Sequence, residues 1–294
     1  MQPHQAPPLP ASPAPRFRAG AVLRTTFAVW LRHLVPLSAL GLLLIAAPAL
    51  LIHRYSTAHP EAAGAGGLML AISVFLGRAH AAALSEGALR VLRGEALPPV
   101  FDLARSGLAR GGRMMAVGLF AYLLPMLVAL VTWMIALVVA GLVGVGGAAT
   151  AQPAQEMTLA MLLASLTPEL KRTLVAAAVV AYAAACWPLL RVFVADAAAV
   201  AEPGLGALQA VHRSIALTRG RLGRLVPVLL LSSVILAAQQ AGQLHVLGLE
   251  GDAQVTGMVV LAVGAAVLEA FGCVAGVAAY EALRAERAEP ISSR

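Results

Sequence analysis

Residues 213–238 read RSIALTRGRLGRLVPVLLLSSVILAA, a basic segment that leads directly into an apolar run. We call a basic segment of this kind, which precedes an apolar run, a basic elbow. Two earlier pairs of arginines have the same spacing of eight residues, and each stands before a long apolar run: Arg24 and Arg32, and Arg105 and Arg113. The chain is therefore predicted to contain three units, in each of which a basic surface helix leads into two membrane-crossing helices.

The composition favours a membrane protein. The 294 residues are 60% hydrophobic and only 12% charged, with a mean hydropathy of +0.84, whereas soluble domains carry about 25% charged residues. The net charge of +7 includes a single lysine, Lys171, and the arginines flank apolar runs. That placement is typical of membrane topology and argues against a nucleic-acid partner. Abundant Ala, Leu, Gly and Arg with almost no Lys indicates a GC-rich bacterial genome.

Six apolar runs approach the length of about 20 residues that a bilayer requires. The predicted fold is an all-α, polytopic membrane bundle with basic amphipathic helices before transmembrane helices 1, 3 and 5. The six helices are predicted over residues 34–52, 67–84, 114–139, 173–194, 225–241 and 256–280, and the elbows over 17–33, 101–113 and 205–224. Helix 2 is expected to continue to Arg93, helix 3 to kink near Pro125, and the third elbow to break at Gly220.

The remaining segments are predicted to lie outside the bilayer. Residues 1–16 are proline-rich and are expected to form a disordered cytoplasmic tail. The membrane domain is expected to cover residues 17–287 and a second cytoplasmic tail residues 288–294. Residues 141–172 contain prolines and charges around a short apolar stretch, which indicates an inserted surface helix.

The arginines predict the orientation. With six crossings, 17 of the 21 basic residues fall on one side together with both termini. By the positive-inside rule this side is the cytoplasm, so we expect a bacterial inner-membrane protein with both termini inside.

The elbow residues have two interpretations. They bind anionic membrane lipid or a cytoplasmic protein, since each arginine near an anionic leaflet contributes about 1 kcal/mol, or they only fix the topology. The residues predicted to face lipid from the elbows are Arg24, Arg32, Arg105, Arg113, Glu202, Arg213, Ser214, Arg219, Arg221 and Arg224. Glu202 is expected to pair with Arg213 or Arg219 across the break at Pro203 and Gly204.

Two charged residues lie inside predicted transmembrane helices, Arg78 in helix 2 and Glu269 in helix 6. A charge at the centre of a membrane helix costs about 2.5–3.5 kcal/mol on insertion scales, so such residues usually have partners or functions. Both lie about a dozen residues from the outer ends of their helices, and we predict that they pair. The alternative is that Arg78 extends to the inner headgroups while Glu269 is protonated or faces a polar pocket. Arg191 and Asp196 are expected to meet the elbow or the headgroups.

Patterns for enzymatic chemistry are missing from the sequence. No His-Glu-x-x-His helix, cysteine cluster or Gly-rich phosphate loop occurs, so no metal, cofactor or ATPase activity is predicted. The serines have no predictable base partner. Cys186 and Cys273 lie in apolar runs and are expected to be buried, reduced thiols. Small residues at Gly272 and Gly276, and at Ala177, Ala181 and Ala185, favour close helix contacts within the chain or in a dimer.

Three patches carry a resemblance to a known family. They comprise Phe17, Val22, Leu23, Thr26, Phe27, Arg32 and His33; then Glu202, Gly204, Ala207, Leu208, Arg213, Ser214, Leu217, Arg219, Gly220 and Arg224; and finally Tyr280, Leu283, Arg284 and Arg287. Together they resemble the six-helix membrane domain found with bacterial glycerophosphoryl diester phosphodiesterases. The resemblance implies the fold and the membrane location, but not the phosphodiesterase activity, which needs a further barrel domain of about 250 residues.

Two functions are compatible with these features. The first is a non-enzymatic membrane protein of lipid or envelope homeostasis that uses its elbows to engage anionic lipid or a partner. The alternative is a transporter or channel for a small solute or lipid, with a polar interior around Arg78 and Glu269. A water-accessible cavity at the level of these two residues would favour the alternative. The oligomeric state stays open.

Overall fold

In the computed structural model the chain is described over residues 17–59, 66–142, 168–247 and 251–287. These residues form helices, and no strand occurs among them. The helices are α1 Ala19–Arg32, α2 Leu34–Gly41, α3 Ala47–Ala58, α4 Gly66–Leu92, α5 Val100–Leu142, α6 Pro168–Val192, α7 Ala195–Ala201, α8 Ala207–Thr218, α9 Leu222–Leu247 and α10 Gly251–Arg287. A single π-helical turn, Leu42–Ala46, joins α2 to α3. The predicted tails and most of the predicted insertion lie outside the described residues.

Five helical segments are long and apolar enough to cross a bilayer. They are Leu34–Ile52, Gly67–Leu92, Val100–Ile135, Val175–Ala201 and Val259–Arg287, with mean hydropathies between 1.6 and 2.4. In α9 the apolar stretch with described side chains is shorter, Leu222–Ile235. The all-helical class and a multi-pass architecture are thus supported by five segments, and the sixth crossing stays a prediction.

The outer surface of the bundle is apolar. Leu68 on α4, Leu130 on α5, Val175 and Val179 on α6, and Val260 on α10 are each more than half exposed. Exposing such side chains to water costs about 25 cal/mol per Å² of apolar surface, whereas lipid chains accept them without that cost. The surface therefore suits a hydrocarbon environment.

The core lies around α4 and α10. Every residue from 79 to 89 is buried, and this segment packs against α5, α7 and α10. On α10 the side chains of Phe271, Tyr280 and Leu283 are almost completely buried. A helix that is buried on all sides belongs to the centre of a larger assembly of helices.

Glycines allow α4 and α5 to approach closely. A Cβ atom at Gly107 would lie only 2.3 Å from the carbonyl oxygen of Ala79, and one at Gly111 would lie 2.7 Å from the ring of Phe75. Gly118 follows on the same helix, where a Cβ atom would lie 2.9 Å from Nε of Arg78. Small residues of this kind let two helix backbones pack without intervening side chains.

The elbows differ from one another. The first and third form separate helices, α1 and α8, and Gly220 with φ +77° separates α8 from α9 as predicted. The second elbow is not a separate helix, because residues 100–142 form one continuous helix of 43 residues that passes through Pro125. At about 1.5 Å per residue, α5 is roughly 64 Å long, twice the hydrocarbon thickness. The prediction of a separate basic surface helix is therefore wrong for the second unit.

The fourth predicted transmembrane helix is interrupted. It ends at Val192, and after Phe193 and Val194 the chain resumes as the short α7. The predicted end at residue 194 lies within two residues of the observed one, but the further helix α7, which carries Asp196 in its first turn and continues to Ala201, was not predicted. Asp196 therefore lies between the helices, and not at the membrane surface where it was predicted.

Candidate functional site

A polar cavity of about 430 Å³ lies between the helices. Five helices each contribute a polar side chain to its wall: Arg78 from α4, Tyr122 from α5, Asp196 from α7, Ser232 from α9 and Glu269 from α10. Ser85, Phe193, Phe271, Cys273 and several small or apolar residues complete the lining. Charged groups from distant parts of the sequence therefore meet in one partly open cavity.

Arg78 has a defined position in this wall. One terminal nitrogen forms a salt bridge with the carboxylate of Asp196. Nε donates a hydrogen bond to the carbonyl oxygen of Met114 at 3.0 Å, and the guanidinium carbon lies 5.7 Å from the ring centre of Tyr122. Because Gly118 has no side chain, the guanidinium can lie directly against α5.

The predicted ion pair between Arg78 and Glu269 is replaced by a different pairing. The helices that carry them, α4 and α10, are neighbours, and both side chains line the cavity. The acidic partner of Arg78 is nevertheless Asp196, which the sequence placed at the end of a helix beside the headgroups. Asp196 lies in the cavity wall because the chain continues after the break at residues 193 and 194 as α7, and the sequence predicted the helix end but not α7.

Glu269 has a histidine as its ionisable neighbour. Its Oε2 atom lies 3.3 Å from Nδ1 of His80, whose side chain is fully buried. The two atoms are close, but their geometry is not that of a hydrogen bond. Neither ring nitrogen of His80 has a hydrogen-bond partner among the described residues. Within that part of the chain no arginine or lysine nitrogen lies within 4.0 Å of the Glu269 carboxylate, which faces the cavity.

The break between α6 and α7 is stabilised by α8. The carbonyl oxygen of Arg191 near the end of α6 accepts hydrogen bonds from the hydroxyls of Ser214 at 2.8 Å and Thr218 at 3.3 Å. Terminal helix carbonyls have no partner within their own helix, so these hydroxyls provide one. Ser214 is fully buried, and its predicted lipid-facing position is wrong.

The predicted pairing of Glu202 with Arg213 is confirmed. Nε of Arg213 lies 3.0 Å from Oε1 of Glu202 across the turn at Pro203 and Gly204, and the hydroxyl of Tyr280 donates to the same oxygen. Partial burial raises the pKa of Glu202, but the hydrogen bonds from Tyr280 and Arg213 outweigh it and hold the pKa below its ordinary value. The carboxylate thus connects α8 to α10.

Other elbow arginines also make internal contacts. Arg113 donates to the carbonyl oxygens of Pro203 at 2.9 Å and Glu202 at 3.2 Å, which ties α5 to the turn before α8. Arg221 and Arg224 lie 2.7 and 3.1 Å from the carboxylate oxygens of Glu286 on α10. These contacts connect the helices, and the side chain of Arg224 makes its contact while about half exposed.

Glu86 was not among the residues predicted to be functional. Its side chain is buried and accepts hydrogen bonds from Ser106 of the second elbow, from Arg110 at 2.7 Å and from Arg90 at 2.8 Å. A repeated pattern marks this region, since residues 88–95 read ALRVLRGE and residues 282–289 read ALRAERAE. Arg93 of the first copy contacts Glu281, the residue directly before the second copy, at 2.9 Å.

Five of the predicted elbow arginines are exposed: Arg24, Arg32, Arg105, Arg219 and Arg224. Among the described residues, only Arg224 of these five has a carboxylate within 4.0 Å. Cys186 and Cys273 are free and half-buried. Ala177, Ala181 and Ala185 are buried where α6 lies along α5, so this small face is used within the chain.

Comparisons of the chain with protein-family models, with curated proteins and with solved structures gave no match. The resemblance to the membrane domain of the glycerophosphoryl diester phosphodiesterases stays an expectation from the residues that carry it. What the fold and the site define is a bundle of long apolar helices around a charged cavity, and its function is argued from that geometry.

Proposed function

We propose that this chain is a non-enzymatic, multi-pass transporter that binds a polar or amphiphilic ligand in the cavity between α4, α5, α7, α9 and α10. The observation that carries the proposal is the cavity of about 430 Å³ with Arg78, Asp196 and Glu269 in its wall. Ligand sites are concave spaces of roughly this size in which a few polar groups converge.

The position of the charges supports the proposal. Arg78 lies near the middle of α4, and Glu269 lies at the middle of α10. A charge at mid-membrane costs about 2.5–3.5 kcal/mol on insertion scales, and such residues commonly line substrate or ion pathways. A purely structural bundle would be more stable with apolar residues here.

The interrupted helix also supports it. In a bilayer, irregular backbone is tolerated where it lies inside the protein or lines a cavity. Phe193, between α6 and α7, lines this cavity together with Asp196. Interrupted helices beside a mid-membrane site are a recurrent feature of transporters.

The membrane arrangement is part of the proposal. We place six crossings in a bacterial inner membrane, with α9 as the fifth and both termini in the cytoplasm, because 17 of the 21 basic residues then fall on the inner side.

Sided cysteine labelling tests the proposal. Ser232→Cys, on the cavity wall, and Val234→Cys, on the exposed apolar side of the same helix, are compared in a Cys186→Ala/Cys273→Ala background. Membrane vesicles of both orientations are treated with a charged, membrane-impermeant methanethiosulfonate. The proposal predicts that Ser232→Cys reacts and that Val234→Cys, at nearly the same depth, does not. It is refuted if the reagent fails to reach Ser232→Cys from either side.

A second candidate function is the binding of anionic lipid or a cytoplasmic partner by the first elbow. The observation that favours it is the exposure of Arg24 and Arg32 on α1, which packs against α9 and α10 on its other face. This role requires no accessible cavity, so it becomes the better account if Ser232→Cys is protected from the reagent.

A further inference from the structure

We infer that the ligand of the cavity is a membrane lipid whose headgroup ends in an ammonium group. Its acyl chain would lie in a groove between α5 and α6, and its ammonium group would lie beside Glu269. The inference rests on the proposed function and names the class of ligand for that site.

An apolar groove adjoins the polar cavity. It has a volume of about 430 Å³ and is open on one side. Pro125, Met126, Leu130 and Trp133 of α5 form one wall, while small and apolar residues of α6 form the other. Its lining contains almost no polar surface, so a hydrocarbon chain fits it and a polar solute does not.

The groove and the cavity meet at Tyr122, which lines both. On the far side of the groove, the hydroxyl of Tyr182 contacts Ser233, the neighbour of the cavity residue Ser232. A polar space that adjoins an apolar one matches the two parts of an amphiphile. A small solute would occupy the cavity and leave the groove unused.

The charges in the cavity select the headgroup. Arg78 pairs with Asp196, so Glu269 is the acidic side chain of the wall that has no arginine partner among the described residues. His80 lies 3.3 Å from the Glu269 carboxylate but does not line the cavity. An ammonium group placed in the cavity would pair with this carboxylate.

The aromatic lining favours the same headgroup. Phe193 and Phe271 line the cavity, and an ammonium group placed over the face of an aromatic ring is attracted by it. An anionic headgroup would meet the Glu269 carboxylate and be repelled. Charge and lining therefore favour a headgroup such as that of phosphatidylethanolamine.

Quenching of Trp133 tests the inference on the full-length protein. The protein is placed in nanodiscs of phosphatidylglycerol and titrated with chain-brominated phosphatidylethanolamine or, separately, with chain-brominated phosphatidylglycerol. The contribution of Trp133 is isolated by comparison with Trp133→Phe, since Trp133 lines the groove. We expect the ethanolamine lipid to quench Trp133 at about tenfold lower mole fraction than the glycerol lipid, a preference of ~1.4 kcal/mol.

Two charge variants complete the experiment. Glu269→Gln should abolish the preference, whereas Glu95→Gln, in the exposed turn after α4, should keep it. Equal quenching by the two lipids, or a preference that survives in Glu269→Gln, would overturn the inference.

Free ethanolamine separates a lipid ligand from a small amine. If it protects Ser232→Cys from the charged thiol reagent as well as phosphatidylethanolamine does, the ligand is a small amine and the inference fails while the transporter proposal stands. If the reagent never reaches Ser232→Cys, the transporter proposal itself fails.

Discussion

Arg78 shows how a single residue organises the interior of the bundle. Its guanidinium meets the Asp196 carboxylate and the Met114 carbonyl, and it lies over the ring of Tyr122. Each contact offsets part of the cost of placing a charge among apolar helices. Because Arg78 pairs with Asp196, the carboxylate of Glu269 has no arginine or lysine partner among the described residues.

Glu202 yields a prediction at the same scale. Its pKa lies below the ordinary value of 4.5, because Tyr280 and Arg213 stabilise the ionised form despite partial burial. A lowered folded-state pKa means that the stability it contributes is present above the unfolded value and is lost as pH falls through the folded value. Glu202→Gln should therefore have a lower Tm than the wild type at pH 7, and the difference should shrink as the pH falls below about 4.5.

Thermal unfolding in detergent at a series of pH values measures this difference. Glu95→Gln, whose carboxylate is exposed, serves as the matched control and should follow the wild type throughout. A gap between Glu202→Gln and wild type that does not change between pH 7 and pH 3 would contradict the assignment.

The sequence predicted some residue contacts and not others. The contact of Glu202 with Arg213 was predictable because only 11 residues and one turn separate them. Arg78 and Asp196 are 118 residues apart, and their contact depends on the helix break. Arg78 and Glu269 were predicted to lie at similar distances from the outer ends of their helices, and both line the same cavity. Their positions along the helices do not determine which acidic residue contacts the arginine.

At the scale of the helices, apolar length predicted where the long segments lie. The predicted second helix, residues 67–84 with an extension to Arg93, corresponds closely to α4, Gly66–Leu92. The continuity of α5 was not predicted, because Gly111 and Gly112 favour a helix end. Each glycine costs only about 1 kcal/mol in a helix, and Gly111 lets α5 pack closely against Phe75 of α4.

This packing predicts opposite effects for two neighbouring glycines of α5. In Gly107→Ala the new Cβ atom would overlap the backbone of α4, 2.3 Å from the oxygen of Ala79. In Gly112→Ala the new atom meets nothing within 4 Å. We expect Gly107→Ala to lower the stability by about 1–3 kcal/mol, as overpacking does, and Gly112→Ala to leave it unchanged or raise it slightly.

The two alanine variants serve as each other's control, because they change the same helix in the same way. Their Tm values are measured in detergent by the loss of monodisperse protein on heating. Equal destabilisation of both variants, or a stable Gly107→Ala, would contradict the close contact between α4 and α5.

At the scale of the whole molecule, apolar side chains face outward and charged ones meet inside. The predicted all-helical class agrees with the described residues, and five of the predicted crossings match segments long enough to span a bilayer. The internal use of the elbows was not predictable from arginine spacing. That spacing is the same whether an arginine reaches lipid, as proposed for Arg24, or a carboxylate, as Arg213 does.

The salt bridge between Arg78 and Asp196 defines the charged wall of the cavity, and the proposed ligand site depends on it. It is measured by double-mutant cycles on protein unfolding, with Arg78→Gln combined either with Asp196→Asn or with Glu269→Gln. A single change at Arg78 or Asp196 leaves an unpaired charge in the interior, whereas the double change removes both. We predict a coupling energy of about 1–3 kcal/mol for Arg78 with Asp196 and a much smaller one for Arg78 with Glu269. Strong coupling to Glu269 and additive effects with Asp196 would contradict the account.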